Sequence, residues 1–189
     1  MKLLFVADPL DTFKIYKDST FAMMREAARR GHTLWATQPV DLSWQRGGRV
    51  TARALPITLT GVEGHSHEPW YTSDGPQTAV LAEFDAVLMR KDPPFDSEYF
   101  YATHLLSQAE REGAVVLNSP AALREHPEKL AILEFPQFIA PTLVTRSAAE
   151  ALLSTRAICP PLAPPISATA RRVSTRASQL QTTSSSVSA

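Results

Sequence analysis

The chain has 189 residues, 44% of them hydrophobic, with 19 basic and 19 acidic side chains. That is enough for one α/β domain with a buried core plus an appendage, and too balanced in charge to favour nucleic acid or an anionic membrane. The balance conceals an asymmetry: every Asp and Glu lies at or before Glu150, so the body carries 19 acidic against 15 basic side chains, a net of −4, while Arg156, Arg171, Arg172 and Arg176 give the remainder +4.

The lone cysteine, Cys159, excludes a disulfide framework and a cysteine zinc site and suits a reducing cytoplasm. No base is in view to make it a nucleophile. The apolar start at residues 3–7 is closed by Asp8-Pro9, too early for a signal-peptide core. No later run approaches the roughly 20 apolar residues of a membrane span. The expectation is a soluble, cytoplasmic protein.

In chain order, residues 3–7 read as a buried parallel strand with a functional loop at its carboxyl end. A helix follows, capped by Asp18 or Ser19, with Phe21, Met24 and Ala28 on its apolar face and Gly31 as its terminator. Residues 32–36 read as a second strand, completing a βαβ start. Between 41 and 77 the pattern weakens. Gly47-Gly48, Gly61 and Gly64 punctuate an edge hairpin around 49–59 and a loop beyond it. Residues 86–89 are a clear strand. The Pro93-Pro94 pair then forbids helix until Asp96, after which Tyr99, Thr103, Leu106 and Ala109 keep helical spacing up to Gly113. Residues 115–118 form the next strand, followed by the turn Ser119-Pro120 and a helical segment.

Four strands thus deliver polar loops at their carboxyl ends: Asp8-Pro9, Thr37-Gln38, Arg90-Lys91-Asp92 and Asn118-Ser119. In open α/β sheets, ligands bind along that edge. Residues 138–145 are predicted as a strand and 148–153 as the start of a helix. From Ser154 onward Ser, Thr and Pro make up about half the residues and acids are absent. Such a composition buries too little apolar surface to offset an ordering entropy of roughly 1–2 kcal/mol per residue, so disorder is predicted.

The segment Val87-Leu88-Met89-Arg90-Lys91-Asp92-Pro93-Pro94-Phe95-Asp96 gathers two cations and two carboxylates at a strand end. On spacing alone it is a ligand-facing loop or a solvated loop whose charges pair with each other. Together with Asp18-Ser19-Thr20-Phe21-Ala22-Met23, Leu117-Asn118-Ser119-Pro120-Ala121-Ala122-Leu123-Arg124, Glu128-Lys129-Leu130 and Pro141-Thr142-Leu143-Val144-Thr145-Arg146, it resembles prokaryotic glutathione synthetase in order and approximate spacing. The resemblance covers roughly residues 1–150.

It implies a doubly wound, mostly parallel, Rossmann-like pre-ATP-grasp domain over 1–122, an incomplete start of the ATP-grasp region over 123–153, and a disordered tail over 154–189. The family's activity is the ATP-dependent ligation of γ-glutamylcysteine to glycine, which relies on magnesium and positioned cations to neutralise the transferring phosphoryl group. Members are oligomers, so self-association is a further implied property.

Carried over by motif, Lys129 matches an ATP-contacting lysine; read without the motif it is a surface lysine. Arg90 is the candidate for a carboxylate of the peptide substrate, since a guanidinium fork suits bidentate recognition. Asp18 and Ser19 are candidates for the same cleft, with helix capping as the equal alternative. His65, His67 and Glu68 lack a further ligand cluster and are not taken as a metal site. Met23 and Met24 read as core filler, and Trp35, Trp44 and Trp70 as packing or subunit contact.

After Gly113 the chain has no glycine and after Glu150 no carboxylate, so a phosphate-cradling loop and magnesium ligands are missing. No catalytic residue and no metal ligand is assigned. Neither ATP nor magnesium is expected to bind productively, and the chain by itself is expected to be inactive. The tail reads as an out-of-frame translation of a GC-rich gene. The alternative is a non-catalytic module for small-ligand binding or subunit interaction.

Overall fold

The continuous apolar run near the amino terminus becomes β1 (Lys2–Val6), the centre of the sheet. The structure is a computed structural model that describes residues 1–60, 69–127 and 129–158. Its contacts divide the chain into two units, Met1–Glu134 and Phe135–Ala189.

In the first unit, β1 pairs in parallel with β2 (Thr33–Thr37) on one edge and with β7 (Ala86–Met89) on the other. β7 pairs in parallel with β8 (Val116–Leu117). Beyond β2 the sheet turns antiparallel with β4 (Thr51–Leu59). Short strands β3 (Leu42–Ser43), β5 (Tyr71–Thr72) and β6 (Gln77–Val80) also pair with β4. The main order is β3-β4-β2-β1-β7-β8.

Residues 49–59 were expected to form an edge hairpin. Residues 51–59 instead form one long strand, β4, which at Thr51 and Ala52 pairs with both β3 and β6. The glycine pair lies in the turn between β3 and β4, where Gly47 takes a φ of 80°. Side chains on β4 alternate: Ala52 and Ala54 enter one core cluster, Ile57 and Leu59 the other. Each half of the strand is therefore covered on a different face, which blurs the simple two-residue period seen in sequence.

α1 (Ser19–Arg29) and α2 (Ser97–Arg111) cover opposite faces, as a doubly wound sheet requires. Phe21, Met24 and Ala27 of α1 meet Leu3, Phe5 and Leu88, whereas Tyr99, Ala102, Leu106 and Ala109 of α2 meet Leu4, Val6, Val87 and Met89. Both helices begin at an aspartate cap: Asp18 accepts from the Phe21 N–H at 2.8 Å and Asp96 from the Tyr99 N–H at 2.9 Å. Gly31 and Gly113, with φ of 76° and 100°, close them.

Met24 is sealed in the core, but Met23, also expected there, is 41% exposed because it faces away from the sheet one position along the helix. Trp70 is buried against Phe13 and Phe21, Trp35 packs edge-on against Phe84, and Trp44 is exposed.

α3 (Pro120–Glu125), capped by Ser119, follows β8, and a short 3₁₀ turn (Ala131–Glu134) ends the first unit. In the second unit the described residues comprise a 3₁₀ turn (Pro136–Phe138) and α4 (Ala148–Ile158). The strand expected over 138–145 is absent. Among the described residues no strand pairs with this segment, and an unpaired strand leaves its backbone groups without partners. α4 itself runs past Ser154 to Ile158. His65, His67, Glu68, Cys159 and the rest of the predicted tail lie outside the described residues. No described helix is long and apolar enough to cross a membrane.

Candidate functional site

Because β2, β1, β7 and β8 run parallel, their carboxyl ends come out on one edge. The ladder holds to the last residue: the Ala7 N–H donates to the Thr37 carbonyl at 2.9 Å and the Arg90 N–H to the Val6 carbonyl at 2.7 Å. The loops after these strands are thereby fixed beside one another. The chain leaves β1 toward β2 and leaves β7 toward β8, so the β1/β7 boundary is the switch point of the topology, where crevices form in such sheets.

At that boundary the charges interlock. Lys91 Nζ lies 2.9 Å from Asp8 Oδ1, and Asp8 Oδ2 accepts the Asp92 N–H at 2.9 Å. Lys91 also donates to the Asp92 carbonyl at 2.7 Å. Both partners of the Lys91–Asp8 pair are about three-quarters buried, so water screens it less than a surface pair.

Arg90 turns the other way. Its Nη2 donates to Ser19 Oγ at 2.8 Å and its Nε to the buried Thr20 Oγ1 at 3.2 Å. The first turn of α1 thus holds the guanidinium in place. The cleft between these elements is lined by Asp8, Thr12, Phe13, Asp18, Thr20, Arg90 and Asp92. A second cleft, of about 270 Å³, opens on the far side of Arg90 between the ends of β7 and β8. Lys91, Asp92, Phe95, Tyr99, Asn118 and His126 are among its walls. Asn118 is oriented by its side-chain amide, which donates to the Met89 carbonyl at 3.2 Å.

The structure therefore brings Arg90, Asp18 and Ser19 together. Asp18 caps α1 and lines the cleft, and Ser19 grips the arginine. Lys129 stands apart: it lies in the exposed turn after α3 and lines neither of these two clefts. The sequence places Asp8 and Lys91 in loops of the ligand-binding edge but does not show that they pair with each other, and it gives Thr20 no role of its own. Asp8 is legible as the first charge after a sealed strand, whereas the role of Thr20 becomes visible only when its helix brings it against Arg90.

Electrostatics along this edge are mixed in sign. Tyr99 has its hydroxyl pKa raised, first by burial and further by the Asp92 carboxylate, with Arg90 opposing. Among the described residues no group of three or more His, Cys, Asp or Glu side chains could hold a metal ion.

A mixed α/β sheet with a parallel centre, covered by helices on both faces and presenting an arginine and several carboxylates at its switch point, belongs to the doubly wound class. Residues 1–124 match the family described as prokaryotic glutathione synthetase, N-terminal domain, and the chain belongs to that family. It is 57% identical over 148 residues to a glutathione synthetase of Ralstonia nicotianae, covering 78% of this chain and 44% of that protein. Identity is 54% over 145 residues to that of Nitrosomonas europaea (77% and 45%) and 53% over 151 residues to that of Bordetella pertussis (79% and 47%). The chain spans less than half the length of these curated relatives.

Proposed function

We propose that this chain is the peptide-binding part of a glutathione synthase, the ATP-dependent ligase that joins γ-glutamylcysteine to glycine. Residues 1–122 are its amino-terminal domain, 123–153 begin the ATP-grasp region, and 154–189 are an added tail. The observation that carries the reading is Arg90, gripped by Ser19 and Thr20 at the switch point of a sheet whose family is that of glutathione synthetase. A guanidinium held by two hydroxyls is pre-organised, so less side-chain entropy is lost when a carboxylate binds it.

In the whole ligase, ATP and magnesium supply an activated acyl phosphate. Lys129 is an ATP contact by its motif, and Asp18 positions the helix turn that holds Arg90. The 189-residue chain by itself does not form glutathione, because it has no glycine after Gly113 and no carboxylate after Glu150. It acts in the cytoplasm and associates with copies of itself.

Titration calorimetry on the full chain tests this reading. Binding of γ-glutamylcysteine without turnover is expected, weakened at least about tenfold by Arg90→Ala, since hydrogen bonds to a charged group contribute about 1.5–3 kcal/mol. Magnesium-dependent product formation by the pure chain would refute its inactivity.

A second reading, a non-catalytic interaction module, is favoured by β8: Leu117, paired with Leu88, is 53% exposed, and Val115 beside it 55%. A monodisperse monomer that binds no thiol peptide would count against both readings.

A further inference from the structure

Four buried side chains in the described residues carry a hydroxyl, and three of them have protein partners. Thr20 accepts from Arg90, Thr37 donates to the Arg53 carbonyl at 3.0 Å, and Thr103 donates to the Phe100 carbonyl at 2.6 Å. The fourth, Tyr99, is only 8% exposed, yet its hydroxyl makes no hydrogen bond among the described residues. Buried tyrosine hydroxyls normally find a partner.

Nor is this oxygen sealed away. Only Arg124 Nη1, among the described side chains, is both enclosed and unsatisfied, so the Tyr99 hydroxyl is not fully enclosed, and its residue lines the cleft between the ends of β7 and β8. Its ring is fixed from two sides: the Asp96 cap holds its backbone N–H, and Phe95 packs against it at 4.9 Å between ring centroids.

Two further unsatisfied groups share this cleft. Arg90 uses Nε and Nη2 on Thr20 and Ser19, which leaves Nη1 without a protein partner among the described residues. The exposed Asp92 carboxylate makes no ion pair or hydrogen bond among them either; its loop contacts go through backbone atoms. Tyr99, Arg90 and Asp92 all line this cleft, so a residue with an unused O–H donor, one with an unused guanidinium N–H and one with an unused carboxylate stand around a common space. A doubly charged phosphate would meet Asp92 as a like charge, whereas an α-amino-acid end group, with its carboxylate and ammonium, matches both signs.

We propose that Tyr99 and Arg90 together hold the α-carboxylate of the γ-glutamyl end of the peptide substrate, while Asp92 receives its α-ammonium. This assignment rests on the reading of the chain as a γ-glutamyl-peptide binder. It makes Tyr99 a specificity residue: the hydroxyl rewards an acceptor carboxylate and gains less from an amide. Burial keeps the phenol protonated, and hence a donor, through neutral pH.

The test is calorimetric titration of the full chain with three probes: γ-glutamylcysteine, its analogue with the glutamyl α-carboxylate converted to carboxamide, and its N-acetyl form. The unsubstituted chain should prefer γ-glutamylcysteine over both. Tyr99→Phe should weaken γ-glutamylcysteine about tenfold and the carboxamide far less, because only the bond to a charged acceptor is lost. A merely structural role would weaken both alike and leave their ratio unchanged, which would overturn the proposal for Tyr99. Asp92→Asn should abolish discrimination against the N-acetyl peptide, and retained discrimination would overturn the ammonium assignment. If Tyr99→Phe changes nothing while Arg90→Ala abolishes binding, the peptide-binding reading stands and the Tyr99 assignment falls. If the unsubstituted chain binds none of the probes, both fall.

Discussion

The strands of the Met1–Glu134 unit and the segment from Phe135 onward both carry large apolar side chains, but Leu4, Phe5 and Val6 are sealed while Phe138, Leu152 and Leu153 are 81, 72 and 70% exposed. None of residues 135–154 is buried. Residue type is not what differs. β1 has a strand on either edge and a helix on either face, so every side chain it points up or down meets another element. The described residues of the later segment form a 3₁₀ turn and one helix, and a single helix supplies no second layer of its own for an apolar stripe. Apolar content predicts burial only where the topology supplies a second layer.

The largest effect that could break this contrast comes from truncating the same residue type in each region. Phe5→Ala should cost about 3–5 kcal/mol, and Phe138→Ala within about 0.5 kcal/mol, in denaturant unfolding of the full chain. Comparable losses would mean that the later segment has a core after all.

Next in size is the cap of α2. Asp96→Ala removes the acceptor for the Tyr99 N–H and should cost about 1 kcal/mol, with Asp96→Asn recovering most of it. A loss shared equally by both variants would point to the charge instead.

The smallest expected effect concerns Glu112, which joins the end of α2 to the start of β4. Its Oε2 accepts the Val50 N–H at 2.7 Å and its Oε1 the Gln108 amide at 2.8 Å. Burial alone would raise its pKa, but these bonds and the nearby Arg49 outweigh it and lower the value. A carboxyl with a lower pKa folded than unfolded stabilises the fold above its unfolded value, about 4.3, and that contribution fades as pH falls through the folded value. The acid side of the stability profile should therefore be shallower in Glu112→Gln than in the unsubstituted chain. Equal slopes would show that this link between layers does not titrate.

Much of the first unit is legible in the amino-acid order. Residues 3–7 and 86–89 are continuous apolar runs because both faces of their strands are covered, and Asp18, Asp96, Gly31 and Gly113 mark helix ends by local hydrogen bonding and backbone freedom. These signals are short-range, so no knowledge of the fold is needed to read them. The loops at the carboxyl edge could be anticipated for the same reason, each being a polar group directly after a sealed run.

What the order alone left open depends on neighbours distant in the chain. The single strand at 51–59 requires partners on both edges, and the missing strand at 138–145 reflects the lack of any. Thr20 meets Arg90 across 70 positions, and Tyr99, legible only as a core-facing helical residue, faces the cleft because α2 docks where β7 and β8 end. Sequence determined most elements of the first unit, their caps and the polar edge. Tertiary structure decided which of the polar groups were satisfied within the protein and which were left facing the cleft, because satisfaction depends on what lies within about 3 Å in space and not on distance along the chain.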